Sequence, residues 1–169
     1  VPGNEDDSHR NVAPTAKEAV PVSQAAHLFN ALIRRGIDDR ALYQRALAQV
    51  REPGLRALLN ENAQALDQLI DDLQVHVRAW NKVPASHGTL MGAVRGAMAD
   101  ATISRSDQSH RDTAWVRCLA RCECALWDRF ERHAQRTADS EIAQVLDRQL
   151  SRLHRVHLDM HCLAGTTHG

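Results

Sequence analysis

Four stretches of this chain carry apolar residues in alternating steps of four and three, and each run is interrupted near its middle by one polar residue. The first reads Ala25, Phe29, Leu32, Gly36, Asp39, Tyr43, Ala46, Val50. The second reads Leu55, Leu59, Asn62, Leu66, Leu69, Leu73, His76, Trp80, and the third Val116, Leu119, Glu123, Leu126, Phe130. The fourth is Ile142, Leu146, Gln149, Leu153, Val156, Met160, Leu163. Alternating four-three steps keep residues on one face of a helix that packs along its length against others. The pattern predicts an all-α fold of four long helices, with Asp39, Asn62, Glu123 and Gln149 aimed inward.

A buried polar group without a partner costs about 1–3 kcal/mol, and an unpaired charge costs more. A whole domain is stable by only about 5–15 kcal/mol. Four such groups are therefore expected to meet in one layer. Asp39 lies 14 residues before Pro53 and Asn62 lies 9 after it; Glu123 lies 14 before Thr137 and Gln149 lies 12 after. In two antiparallel hairpins those offsets place each pair at similar heights. Such a layer is either a hydrogen-bonded plug or the surroundings of a metal ion.

Punctuation along the chain sets the helix limits. Ser23 is expected to cap the first helix, and Glu52-Pro53-Gly54 stops it near Arg51. The second helix should run from about Gly54 to Trp80, ending before Pro84. The third is expected over Ser109–Arg136, and the fourth from Asp139 or Ser140 to just before Gly165. Residues 81–107 are long for a turn between neighbouring helices. Thr89–Met98 inside them reads as a short crossover helix. Two hairpins joined by one long crossover are the ferritin-like arrangement of a four-helix bundle, here assigned to residues 22–164. Residues 1–21 hold Pro2, Pro14 and Pro21 among charged residues, lack the apolar core of a signal peptide, and read as a disordered tail.

Charges balance at 21 of each sign, so no global field draws in nucleic acid or an acidic membrane surface. No apolar run approaches the length that spans a bilayer. Three of the four cysteines, Cys118, Cys122 and Cys124, crowd one helix where they are poorly placed to bridge one another; Cys162 is the fourth. A reducing, cytoplasmic setting is the expectation. No phosphate loop, nucleophile elbow or triad spacing is present. Asp72 and His76 read as an ordinary pair on a helix flank, and Arg148, Arg152 and Arg155 as a solvated basic edge. Trp115 and Trp127 do not both fit the third stripe. Either at least one faces outward as a contact for a protein partner or a second copy, or Trp115 packs under the crossover helix.

The chain resembles an uncharacterised bacterial family of ferritin-like four-helix-bundle proteins, carried as a domain of unknown function. The resemblance covers roughly residues 22–163. It rests on Asp38 with Tyr43, Glu61 with Gln64, Glu123, Gln149 and His157. Ferritin-like di-iron proteins need a Glu from each of two helices and a Glu-x-x-His from each of the other two. Here Gly36 stands where the first helix would supply its Glu, and Gln64 stands in place of a His. No Glu begins the motif before His157. The resemblance therefore implies a degenerate centre. What it leaves is a single iron or zinc site from Asp38, Asp39, Glu61, Glu123 and His157, with weak oxidase or storage activity.

A second constellation is independent of that resemblance. His154, His157 and His161 share a face of the last helix, and Cys118 and Cys122 share one on the third. Turn counting sets the thiols level with residues 152–156. Cys118, Cys122, His154 and His157 would suit tetrahedral Zn²⁺. The competing reading has the thiols filling small core gaps and the histidines on a wet flank. The leading functional reading is a non-catalytic bundle that acts by self-association or partner binding. Its buried polar layer fixes helix register.

Overall fold

A computed structural model describes residues 20–166, so the tail expected over residues 1–21 lies almost wholly outside the described residues. The described chain is all-α: α1 (Val22–Gln49), α2 (Pro53–Ala79), α3 (Leu90–Ile103), α4 (Gln108–Arg136) and α5 (Ser140–Thr166). Among the described residues no helix is long and apolar enough to cross a membrane.

Local chemistry fixes the ends. The Pro21 carbonyl, rather than Ser23, opens α1 by accepting from Gln24 and Ala25 N–H. Proline's fixed φ makes a ready entry into a helix. Between α1 and α2, Glu52 accepts the Gly54 and Leu55 amides while Pro53 fills the first helical position. Arg56 reaches back to the carbonyls of Leu47 and Val50, giving the end of α1 the cation its dipole favours. At the far end of α2, Asn81 adopts φ 55°, a left-handed stop that Asn tolerates. Asp139 caps α5 through the Glu141 and Ile142 amides.

α1 packs chiefly on α2, and α4 on α5; the two hairpins join through α1 with α4 and α2 with α5. The connector runs the length of α1. Asn30 holds Val83 and Ala85 near its start, Asp38 holds Thr89 midway, and Gln49 and Arg45 hold Asp100 near its end. α4 therefore begins beside the end of α1, where the Trp115 indole donates to Gln49. It closes beside the start of α1, where His133 and Arg136 share a cavity with Gln24 and Leu28. α1 thus runs antiparallel to both α2 and α4.

Every position of the α1 stripe is buried, and so are all five of the α4 stripe. On α2 and α5 the stripes are buried except at Leu55, His76, Trp80 and Leu163, which are half-buried near helix ends. Of the two readings of the tryptophans, the structure follows the one that buries Trp115. Trp115 is 0% exposed beneath the crossover, and Trp127 is half-buried against the rings of His154 and His157. Among the described residues, four of the eight exposed large apolar side chains, Leu90, Met91, Val94 and Met98, lie on α3.

Candidate functional site

The four polar interruptions are all inside the protein: Asp39 is 1% exposed, and Asn62, Glu123 and Gln149 are each 3% exposed. Among the described residues no hydrogen bond joins any two of them. Each solves its burial separately, or not at all. Asp39 faces Arg35 one turn earlier, with Nε donating to Oδ2 at 3.2 Å and Nη2 lying 3.1 Å from Oδ1. The same guanidinium reaches the Cys122 carbonyl on α4 at 3.4 Å. Gln149 turns to the flank of α2, donating to Asp72 at 3.2 Å and accepting from Arg152 at 2.8 Å. Arg152 in turn pairs with Asp72 at 2.7 Å. Asn62 Nδ2 and both carboxyl oxygens of Glu123 are buried without a partner.

The electrostatics follow from this geometry. Burial pushes the Asp39 carboxyl up to about 8, against the opposing pull of Arg35. Burial likewise pushes Glu123 up to about 9, helped by the negative fields of Asp39 and then Asp159. Both groups therefore keep their protons near neutrality. A protonated carboxyl is far cheaper to bury than a carboxylate. Asp39 and Glu123 lie within each other's fields, so the centre of the layer does bring α1 and α4 together.

The other proposed ligands are placed elsewhere. Asp38 is buried, but both its oxygens bind Thr89 at the head of α3. Glu61 is exposed on α2, one position off the inward stripe. His157 lies against Trp127 on the α4–α5 flank. Asp38, Asp39, Glu61, Glu123 and His157 are thus not gathered around one point.

The thiol–imidazole set is also rearranged. Cys118 lines the groove between α3 and α4 and is hydrogen-bonded to Cys122. That bond draws the Cys118 thiol down to about 7. Its partner Cys122 is pushed up by the same bond and by burial. Neither meets His154, which is exposed on the far flank. Cys124 does meet the histidines: its Sγ lies 2.9 Å from His161 Nε2, and the His157 and His161 rings are 4.2 Å apart. One ligand atom from each of Cys124, His157 and His161 falls within 4.8 Å of the others. The four thiols are all free.

Cys124 was legible in principle. With Glu123 inward, Cys122 and Cys124 lie about 100° to either side of it, on opposite flanks of α4. Turn counting missed the height: Cys124 lies 13 residues before Thr137 and His161 lies 24 after it. The lean of side chains toward their own helix N-terminus accounts for only a small part of that offset.

Residues 24–133 match the family model described as "Domain of unknown function (DUF2383)". The chain belongs to that family. The DUF2383 segment takes in α1, α2, α3 and most of α4, and with them Asp38, Asp39, Asn62, Glu123 and Cys124. α5, with Gln149 and the histidine face, lies beyond it. No match was found among curated proteins. The solved structure of "YcfI, a putative structural protein from Rhodopseudomonas palustris" is similar with a TM-score of 0.71. The match covers 86% of this chain and 96% of that one, at 12% identity. At that identity the likeness establishes a shared fold.

Proposed function

We propose that this DUF2383 protein is a ferritin-like four-helix bundle without catalytic activity. In this reading it works by self-association, and a buried polar layer stands where a di-metal centre would lie. The observation that carries the reading is the outer face of α3. Leu90 is 83% exposed, Met91 67%, Val94 45% and Met98 65%. Met91, Val94 and Met98 step by three and four and so form one stripe, continuous with a groove of about 590 Å³ between α3 and α4. Contiguous apolar surface of this kind marks contact sites in soluble proteins. Met91, Val94 and Met98 carry no charge, while the adjoining groove is lined by Arg95, Arg117 and Arg121, so two copies would meet along the stripe with the arginines at its edge. The description of YcfI as structural is in keeping with an assembly role.

Light scattering on the size-separated 169-residue chain tests this. A concentration-dependent dimer or higher oligomer is expected, and the double substitution Met91→Glu, Met98→Glu should return it to monomer with its helicity intact. A wild-type chain that stays monomeric, or an oligomer indifferent to the substitutions, rejects the reading.

A metal-binding reading, with a single iron or zinc in the core, is favoured by one observation: Glu123 has both oxygens unpartnered beside Asp39. Two carboxyls from two helices are a sparse ligand set. Metal analysis of Glu123→Gln decides it, since a metal held at the layer would be lost.

A further inference from the structure

We propose that Cys124, His157 and His161 form a binding site for one Zn²⁺ ion, clamped between α4 and α5 on the flank of the molecule and separate from the polar layer. The three ligand atoms lie within 4.8 Å of one another. Tetrahedral zinc with Zn–N of about 2.0 Å and Zn–S of about 2.3 Å sets its ligands roughly 3.3–3.6 Å apart. Closing the present spread to that value needs only side-chain adjustment. Cys124 Sγ and His161 Nε2, now 2.9 Å apart, would open by a few tenths of an ångström as the metal replaces the proton they share. That proton leaves to solvent.

Three further features fit a metal site. His157 Nδ1 is buried and has no hydrogen-bond partner, so the ring carries an unused donor or acceptor in the cluster. The Trp127 indole stacks on His157 at 5.6 Å and 27°, bracing the ring from the α4 side. Beside Cys124 and His161 lies a cavity of about 480 Å³, walled by Ala120, Ala164 and the arginines Arg117 and Arg121. It leaves a fourth position open to water. One thiolate and two imidazoles are borderline-soft donors that favour zinc over hard cations such as Mg²⁺ or Ca²⁺. The site ties together residues 37 apart in the chain and so braces the outer half of α5.

The test uses the untagged 169-residue chain, stripped with chelator and reloaded with Zn²⁺ or, as a spectroscopic probe, Co²⁺. One metal ion per chain is expected, with a thiolate-to-Co²⁺ charge-transfer band. Cys124→Ser should abolish the band and weaken Zn²⁺ binding by more than about 100-fold, since loss of even an outer-shell partner costs about 10–100-fold. His161→Ala should weaken it comparably, while Cys162→Ser, on an exposed thiol, leaves both signals in place. Circular dichroism checks the fold of each variant. If a variant fails to fold, the wild-type Co²⁺ spectrum still decides, because absence of a thiolate band overturns the site. Metal bound equally well by Cys124→Ser overturns it too. So does metal lost in Glu123→Gln but kept in Cys124→Ser.

Discussion

Asp38 on α1 holds Thr89 by two bonds at once: its Oδ1 accepts the Thr89 amide at 2.8 Å and its Oδ2 accepts the Thr89 hydroxyl at 2.6 Å. The Thr89 hydroxyl then accepts the Gly92 amide at 2.8 Å, capping α3. A carboxyl read from the sequence as a metal ligand is thus the anchor of the crossover helix. It sets where the apolar stripe of α3 is displayed.

Asp38→Ala removes both bonds and leaves Thr89 to cap alone. A typical hydrogen bond contributes about 0.5–1.5 kcal/mol net, so losing the two is expected to cost about 1–3 kcal/mol. The damage should be local. Hydrogen exchange should accelerate over the first turns of α3 while the amides of α1 and α2 stay protected. Uniform acceleration across all helices would contradict the anchor.

Gly92 exists because of that carboxylate. A Cβ there would sit 2.1 Å from Asp38 Oδ1, and one at Gly88 would be as close. Gly165, near the end of α5, has nothing within 4 Å. Alanine normally favours a helix over glycine by about 1 kcal/mol, so the sign of the effect is informative. Gly92→Ala should destabilise by about 1–3 kcal/mol through overpacking, while Gly165→Ala should be neutral or slightly stabilising. Paired thermal melts check the contrast.

The periodicity of the sequence carried a great deal of this structure. The stripes locate the long helices and name every buried polar residue except Asp38, because a residue's face on a helix depends only on its own position and the 3.6 repeat. What was not legible is relational. The sequence says that Asp38 and Asp39 are neighbours, but only the packed connector shows that one turns to Thr89 and the other to Arg35. Cys122 and Cys124 look like a pair, yet one enters the core and the other meets the α5 histidines. Such assignments depend on which neighbour covers each flank.

Trp115 extends the same point. Its indole is fully buried and donates to Gln49 Oε1 at 3.3 Å, an oxygen that also accepts the Ser104 hydroxyl at 3.2 Å. Trp115→Phe should cost about 1–3 kcal/mol, less than the 3–5 of truncation to alanine, because Ser104 still serves the Gln49 oxygen. Denaturant unfolding gives the value. A change within 0.5 kcal/mol of zero, the range of about ±0.5 usual for surface sites, would mean that the crossover does not pack on Trp115.

The buried carboxyls make stability depend on pH in an unusual direction. Asp39 rises from 3.8 to about 8 on folding and Glu123 from 4.5 to about 9. A carboxyl with a raised folded pKa binds protons more tightly in the native state. Its contribution is therefore complete below the unfolded value and is lost as pH climbs through the folded one. Between about pH 4.5 and 8 the native state should weaken with rising pH, by up to about 1.4 kcal/mol per pH unit for each group. Above about pH 9 the dependence should level off. Glu123→Gln cannot ionise, so it should match the wild type near pH 4.5, gain stability over it at pH 8, and show a shallower slope between. Urea unfolding of both chains from pH 4.5 to 9 measures this directly. Parallel slopes in the two would mean that Glu123 is ionised in the native core, and that the unpartnered oxygens are satisfied in solution by something that holds the charge.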